Sequence, residues 1–413
     1  MATLILTGVT LIDGTGADPV ERANIFIEGD RITSAGRSAA RADAGRGGET
    51  IDCSGLTVLP GLIDAHAHLG LVYDFSADAG AMSPAEIAAR TFRNCELCLE
   101  AGFTTVRDMC GLDGGVAQTV ASGLVRGPRI FPSGPAIVQT GGHGHLTGPF
   151  CSFDQSVAFP GLVQLIALCD SPDQVRHQSR LNFRRGATQL KAFISGGVVS
   201  KTDRLEDTQL TIEELRAAVL EAKARETYVA GHAHNSRSIM NGLAAGLECF
   251  EHGTMLDEQT ASAMAKAGAA LDPTLAVCHL MAKDWQAWKL PENVVPRIAG
   301  CERQMAEAMR IARSAGVLTG SGSDLLGSEQ NRRGLEITLQ AKALSPMEAI
   351  VCATLSNARI MRQQADLGSV APGKLADVIA LRGDPIAQPE LFDDPSRIVL
   401  VVKGGQIVKR TIK

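Results

Sequence analysis

One junction recurs along this chain and constrains its fold more than any other feature: a helical stretch ends in glycine and an apolar extended run begins at once. It occurs at Glu100-Ala101-Gly102 before FTTV, at Arg185-Gly186 before ATQLKAF and at Ala245-Gly246 before LECF. It returns at Lys266-Ala267-Gly268 before AALD and at Ala315-Gly316 before VLTG. Glycine accepts the left-handed conformation that closes a helix C-terminus. Helices alternating with apolar strands at this spacing specify parallel βα units and an α/β fold. Residues 57–365 supply about 39 residues per unit if there are eight, within the range of a (β/α)8 TIM barrel. A doubly wound open sheet would show a glycine-rich phosphate turn after its first strand. This chain has His66-Ala67-His68 there.

The two ends read differently. Short apolar runs at 4–11, 24–28 and 31–35 are split by Gly and Asp, and 43–49 is a polar, glycine-rich loop. The C-terminal stretch has similar runs at 377–381 and 398–402, then the turn Lys403-Gly404-Gly405 and a run at 406–409. Neither end is large enough to hold a core alone. The expectation is that 1–56 and 366–413 pair into one small β-sandwich domain, with 57–365 as the barrel inserted between them.

Composition removes several classes of function. At 45% hydrophobic and 21% charged, the 413 residues are ordinary globular material. A net charge of −5 and only 4% aromatic residues argue against nucleic acid or an anionic membrane as partner. No apolar run reaches about 18 residues and the N-terminus lacks a basic leader region, so the expected location is cytoplasmic. The ten cysteines follow no disulfide spacing and are read as free thiols. Cys95 and Cys98 fall in a helical stretch at 85–100 and are read as structural.

In such a barrel, chemistry sits at the C-terminal ends of the strands. A strand at 62–65 leads to His66 and His68, whose side chains point the same way because they lie two residues apart on an extended chain. A strand at 189–195 carries Lys191, one at 228–234 carries His232 and His234, one at 247–251 ends at His252, and one at 317–323 ends at Asp324. Of nine histidines, these five cluster at strand ends. Imidazole with carboxylate suits zinc or another borderline divalent metal. Lys191 sits in an apolar strand, where burial penalises its charge. A neutral amine can take up CO2 as a carbamate and so become an anionic bridging ligand. Arg107 and Asp108 are read as an internal ion pair or as support for the metal site, Gly196 and Gly197 as points of close backbone approach, and His177 as solvated. His145 and His279 receive no role.

The ordered set resembles the amidohydrolase superfamily of binuclear metal hydrolases. GLIDAHAHLG at 61–70, QLKAFISGG at 189–197, GHAHN at 231–235, FEHGT at 250–254 and GSD at 322–324 carry the resemblance, with LGSVAPGKLADVIAL at 367–381 as the return into the small domain. Within the superfamily the chain is similar to imidazolonepropionase-related prolidases, aryldialkylphosphatase-like proteins and ochratoxin-degrading amidases. Imidazolonepropionases use one metal and lack the bridging lysine, so Lys191 argues against that activity.

The resemblance implies two divalent ions, by default zinc. His66, His68 and Asp324 would bind the inner ion, His232 and His252 the outer, and carboxylated Lys191 would bridge them. A metal-bridging hydroxide would attack an amide carbonyl while Asp324 moves the proton. His143 in the loop 140–145, His234 and Tyr228 are the implied substrate contacts, Tyr228 through its hydroxyl to a substrate carboxylate. The expected partner is a small molecule such as an Xaa-Pro dipeptide, an N-acyl amino acid or an ochratoxin-like amide, and the expected state is a homo-oligomer. Lactonase, phosphotriesterase or cyclic-amide hydrolysis on the same site, and a non-enzymatic scaffold, are the alternatives.

Overall fold

The computed structural model describes residues 3–39, 48–72, 82–145, 150, 158–200, 203–288, 290 and 292–412. Most of the loop expected at 43–49 lies outside them. The chain ends meet in one eight-stranded sheet, in the order Gln406–Arg410, Ile398–Lys403, Val378–Arg382, Leu56–Pro60, Thr3–Leu11, Val20–Glu28 and Arg31–Gly36, with Glu49–Asp52 also on Thr3–Leu11. The join between the two ends is the antiparallel pairing of Val378–Arg382 with Leu56–Pro60, Ile379 opposite Leu59. Side chains alternate across it. Val378 and Ala380 face a core with Leu6, Ile25, Val58 and Leu400. Ile379 and Leu381 face Phe103, Cys95 and Cys98 on the inserted segment.

The insert carries two parallel sheets beside a short antiparallel one of Ala158–Phe159, Val163–Gln164 and Gly111–Leu112. One sheet runs Ile166–Leu168, Ala136–Val138, Leu190–Phe193, Val229–Asn235, Cys249–Met255, Ala270–Asp272 and Leu318–Thr319, and a second runs Leu62–Ala67, Phe103–Asp108 and Arg129–Pro132. Every pairing within both is parallel. Across the gap between the two sheets, Ala65 N donates to Ser321 O at 3.0 Å and Asp324 N to His66 O at 2.8 Å. The five junction glycines have φ of 84°, 93°, 98°, 67° and 81°, the left-handed region that the repeat requires.

Two strands of the insert differ most from their sequence-based bounds. The one expected at 247–251 runs instead as Cys249–Met255, straight through His252. A register shift lies between Ala233 and Asn235 of its partner strand, opposite this point. The one expected at 317–323 shrinks to Leu318–Thr319. Beyond it the backbone takes side-chain acceptors in place of a ladder, Ser321 N on Asn357 Oδ1 and Ser323 N on Asp64 Oδ1, both at 2.9 Å.

The helix expected at 85–100 is Pro84–Glu100, capped by Ser83, with Cys95 and Cys98 buried. The described cysteines are free and buried. Among the described residues, no helix is long and apolar enough to cross a membrane.

Candidate metal centre

His66 and His68 stand at the end of Leu62–Ala67, and each turns Nδ1 onto the protein and Nε2 toward Asp324. His66 Nδ1 lies 2.6 Å from Glu251 Oε2, and His68 Nδ1 lies 3.2 Å from the carbonyl of Cys110. Their Nε2 atoms lie 3.6 and 2.9 Å from Asp324 Oδ1. From the neighbouring sheet, His232 Nδ1 meets His252 Nε2 at 2.8 Å, with His252 Nδ1 on Thr274 Oγ1 at 2.7 Å. His252 and Asp324 have φ of 71° and 55°. Left-handed backbone is costly for residues with a Cβ and is retained where the surroundings enforce it. Here it turns two side chains into the same space.

Lys191, 1% exposed, has an Nζ with no hydrogen-bond partner. The ring of Phe193 lies 5.7 Å from it. Burial lowers its pKa. Burial first, and the Lys191 charge further down the scale, bring His66 to about 4. Burial likewise takes His232 and His252 well below their ordinary value. Neutral imidazole is the form that binds a metal. His68 is the exception: burial opposes its charge, but Cys110 and Asp324 carry its pKa above the ordinary value.

These residues line one cavity: His66, His68, Lys191, His232, His252 and Asp324, with His143 and His234 beside them. Its further wall is apolar, including Leu165, Phe193, Val199, Met281, Met305 and Leu326. The donor atoms of His66, His252 and Asp324 lie within 4.8 Å of one another, and so do those of His232, His234 and His252. An orphaned amine, two imidazole nitrogens in contact and a carboxylate aimed at two more fit a pair of cations.

His143 is held by Ser200 Oγ on Nδ1 (2.6 Å) and by Gln209 Oε1 on its backbone N (2.9 Å), and its ring stacks on His232 with centroids 4.4 Å apart. Gly197 permits this packing, since a Cβ there would lie 2.2 Å from the His143 ring. His234 places Nδ1 on Thr254 Oγ1 at 2.6 Å.

Tyr228 corrects the expectation. It faces the interior, as its parity with His232 requires, but its hydroxyl accepts from Arg107 Nη1 at 3.3 Å and it packs with Met109, Cys249 and Ala270. It does not line the cavity. Two residues along a strand keep the same face but descend by a full layer, so parity alone misjudged its depth. His177 is exposed. His145 Nδ1 accepts from Gly141 N at 3.0 Å, and His279 Nδ1 lies 3.0 Å from Glu302.

Arg107 does not pair with Asp108. Asp108 accepts from the backbone N of Leu69 and Leu112. Arg107 reaches Glu251 and Asp272 instead, both at 2.9 Å. The sequence reading missed both of these carboxylates, and also Asp64, which bonds Ser323 and Arg333. The available signal was a lone carboxylate inside an otherwise apolar strand, at FE in FEHGT, at AALD and at LID.

A match to the amidohydrolase family spans residues 57–408. Ochratoxinase from Aspergillus niger is 31% identical over 419 residues, covering 98% of this chain and 86% of that protein. A prolidase solved in complex with N-methylphosphonate-L-proline superposes with a TM-score of 0.90 at 35% identity, covering 99% of this chain and all (100%) of the other. An Xaa-Pro dipeptidase with bound methionine in its active site does so with a TM-score of 0.88 at 29% identity, over 99% and 100% of the two chains.

Proposed function

This chain belongs to the amidohydrolase family, in its prolidase- and ochratoxinase-like branch, and we propose that it hydrolyses the amide bond of a small substrate bearing a free carboxylate. An Xaa-Pro dipeptide, an N-acyl amino acid and an ochratoxin-like amide all have that chemistry. The fold is of the TIM-barrel α/β type. On this reading the two parallel sheets close into one (β/α)8 barrel over 57–365, and 1–56 with 366–413 form a small β-sandwich domain.

One observation carries the reading: His66, His68, His232, His252 and Asp324 surround a cavity into which a buried lysine brings an amine with no hydrogen-bond partner. A buried unpaired ammonium costs several kcal/mol. Burial favours the neutral amine of Lys191, which would add CO2 and release a proton to become an anionic carbamate ligand. His66, His68 and Asp324 would then hold one ion, His232 and His252 a second, and Lys191 would serve both. Zinc suits the donor set. When bound, the ions polarise a scissile carbonyl and lower the pKa of water.

The side chains do the rest. Asp324, which lines the cavity with 19% of its side chain exposed, takes the proton from the attacking water and passes it to the leaving nitrogen. His143 and His234, each with Nδ1 committed to a hydroxyl, keep Nε2 for the substrate. The apolar wall excludes water and receives the uncharged part of the amide.

The test is elemental analysis together with a library of dipeptides and N-acyl amino acids, run beside ester, lactone and phosphotriester substrates. The expected result is about two metal ions per chain and cleavage favouring free carboxylates over their amidated forms. Metal-free protein, or turnover of esters and phosphotriesters alone, would overturn the reading.

A further inference from the structure

Beneath the cavity lies a set of charges that the proposed reaction leaves unused. Glu251 is fully buried and is bonded from three sides. Its Oε2 lies 2.6 Å from His66 Nδ1, Arg107 Nη2 reaches its two oxygens at 2.9 and 3.1 Å, and Cys249 Sγ donates to Oε1 at 3.3 Å. Asp272 accepts from the same Arg107 Nη2 at 2.9 Å. The donor atoms of His66, Glu251 and Asp272 lie within 4.8 Å of one another, a spacing that would suit a cation. The guanidinium already supplies that positive charge, so the group is no further ion site.

Glu251 therefore has one free task, the one it performs on His66. A carboxylate against Nδ1 holds the proton there, leaves Nε2 unprotonated and strengthens it as a donor. The other histidines proposed as ligands have weaker partners: a carbonyl for His68 (3.2 Å), a hydroxyl for His252 (2.7 Å) and the Gly196 carbonyl for His232 (3.3 Å). We propose that Glu251 is the positioning residue of the inner ion, fixing His66 as its Nδ1–H tautomer and making the His66–His68–Asp324 site the tighter of the two. The inference rests on the metal-hydrolase reading above. Arg107 keeps Glu251 in place, and Asp272 shares that anchor without touching His66.

The experiment follows ion release from the holoenzyme during graded chelation, by elemental analysis and, for the cobalt-loaded form, by absorption. Wild type should release one ion well before the other. E251Q should lose the slower ion about ten- to a hundredfold more readily. D272N meets the same arginine but not His66, and should keep the wild-type order. Equal retention by E251Q and wild type, or equal weakening by E251Q and D272N, would overturn the proposal. Nitrogen-15 chemical shifts of His66 in metal-free wild type give an answer independent of any variant: Nδ1–H supports the proposal and Nε2–H refutes it. Wild type that binds no ion would sink the underlying reading as well, whereas an inverted or absent order of release with two ions bound would sink this inference alone.

Discussion

Two buried cations in this protein have opposite surroundings. Arg107 is 0% exposed and donates to the Ala65 carbonyl, Tyr228, Cys249, Glu251 and Asp272. Lys191 is 1% exposed, and its Nζ has no hydrogen-bond partner. Burial works against charge on both. Around Arg107 the carboxylates overcome it and hold the guanidinium charged, and around Lys191 burial wins and lowers the pKa. A buried cation whose donors are met by the chain is part of the scaffold. One with an unmet amine lining a cavity signals a partner supplied from outside the chain.

The largest effect should come from removing the paired guanidinium. R107M leaves Glu251 and Asp272 buried without their counter-charge and should cost about 3–5 kcal/mol, read from urea unfolding of the metal-free protein. A loss below about 1 kcal/mol would mean that the cluster is not structural. Next comes D324N, which should retain most of the metal while kcat falls by about 10²–10⁴. Near-normal turnover would remove Asp324 from proton transfer.

Y228F separates the Arg107 cluster from the cavity. It deletes one hydrogen bond to Arg107 and should cost about 1 kcal/mol with kcat/KM unchanged. A rise in KM confined to carboxylate-bearing substrates would return Tyr228 to the substrate site. The smallest stability effect belongs to K191M. With nothing to unpair, metal-free stability should stay within about 0.5 kcal/mol or increase, although metal retention and turnover fall. A large loss of metal-free stability would show that Lys191 has a structural partner after all.

Much of the candidate site was legible because its residues are metal-ligating or ionisable types placed on or just after short apolar strands. His66, His68, Lys191, His232, His252 and Asp324 were identifiable from that placement, and they line one cavity. Tyr228 was misread because alternation reports the face of a strand but not its depth. Glu251 and Asp272 were passed over because a lone acid in an apolar strand does not reveal what it pairs with. The short Leu318–Thr319 strand was overestimated because Asn357 and Asp64, distant in sequence, take over the backbone donors that a longer ladder would have used.

Local sequence alone determined the alternation of helix and strand, the left-handed glycines at the junctions and the types of donor available at each strand end. These depend on backbone sterics and side-chain period, which act within a few residues. Only the tertiary structure decided that Arg107 belongs to Glu251 and Asp272 rather than to Asp108, and that Glu251 lies behind His66. Those contacts join residues 144, 165 and 185 positions apart. Such pairings are set by how the strands assemble in space, which the local sequence around each residue does not encode.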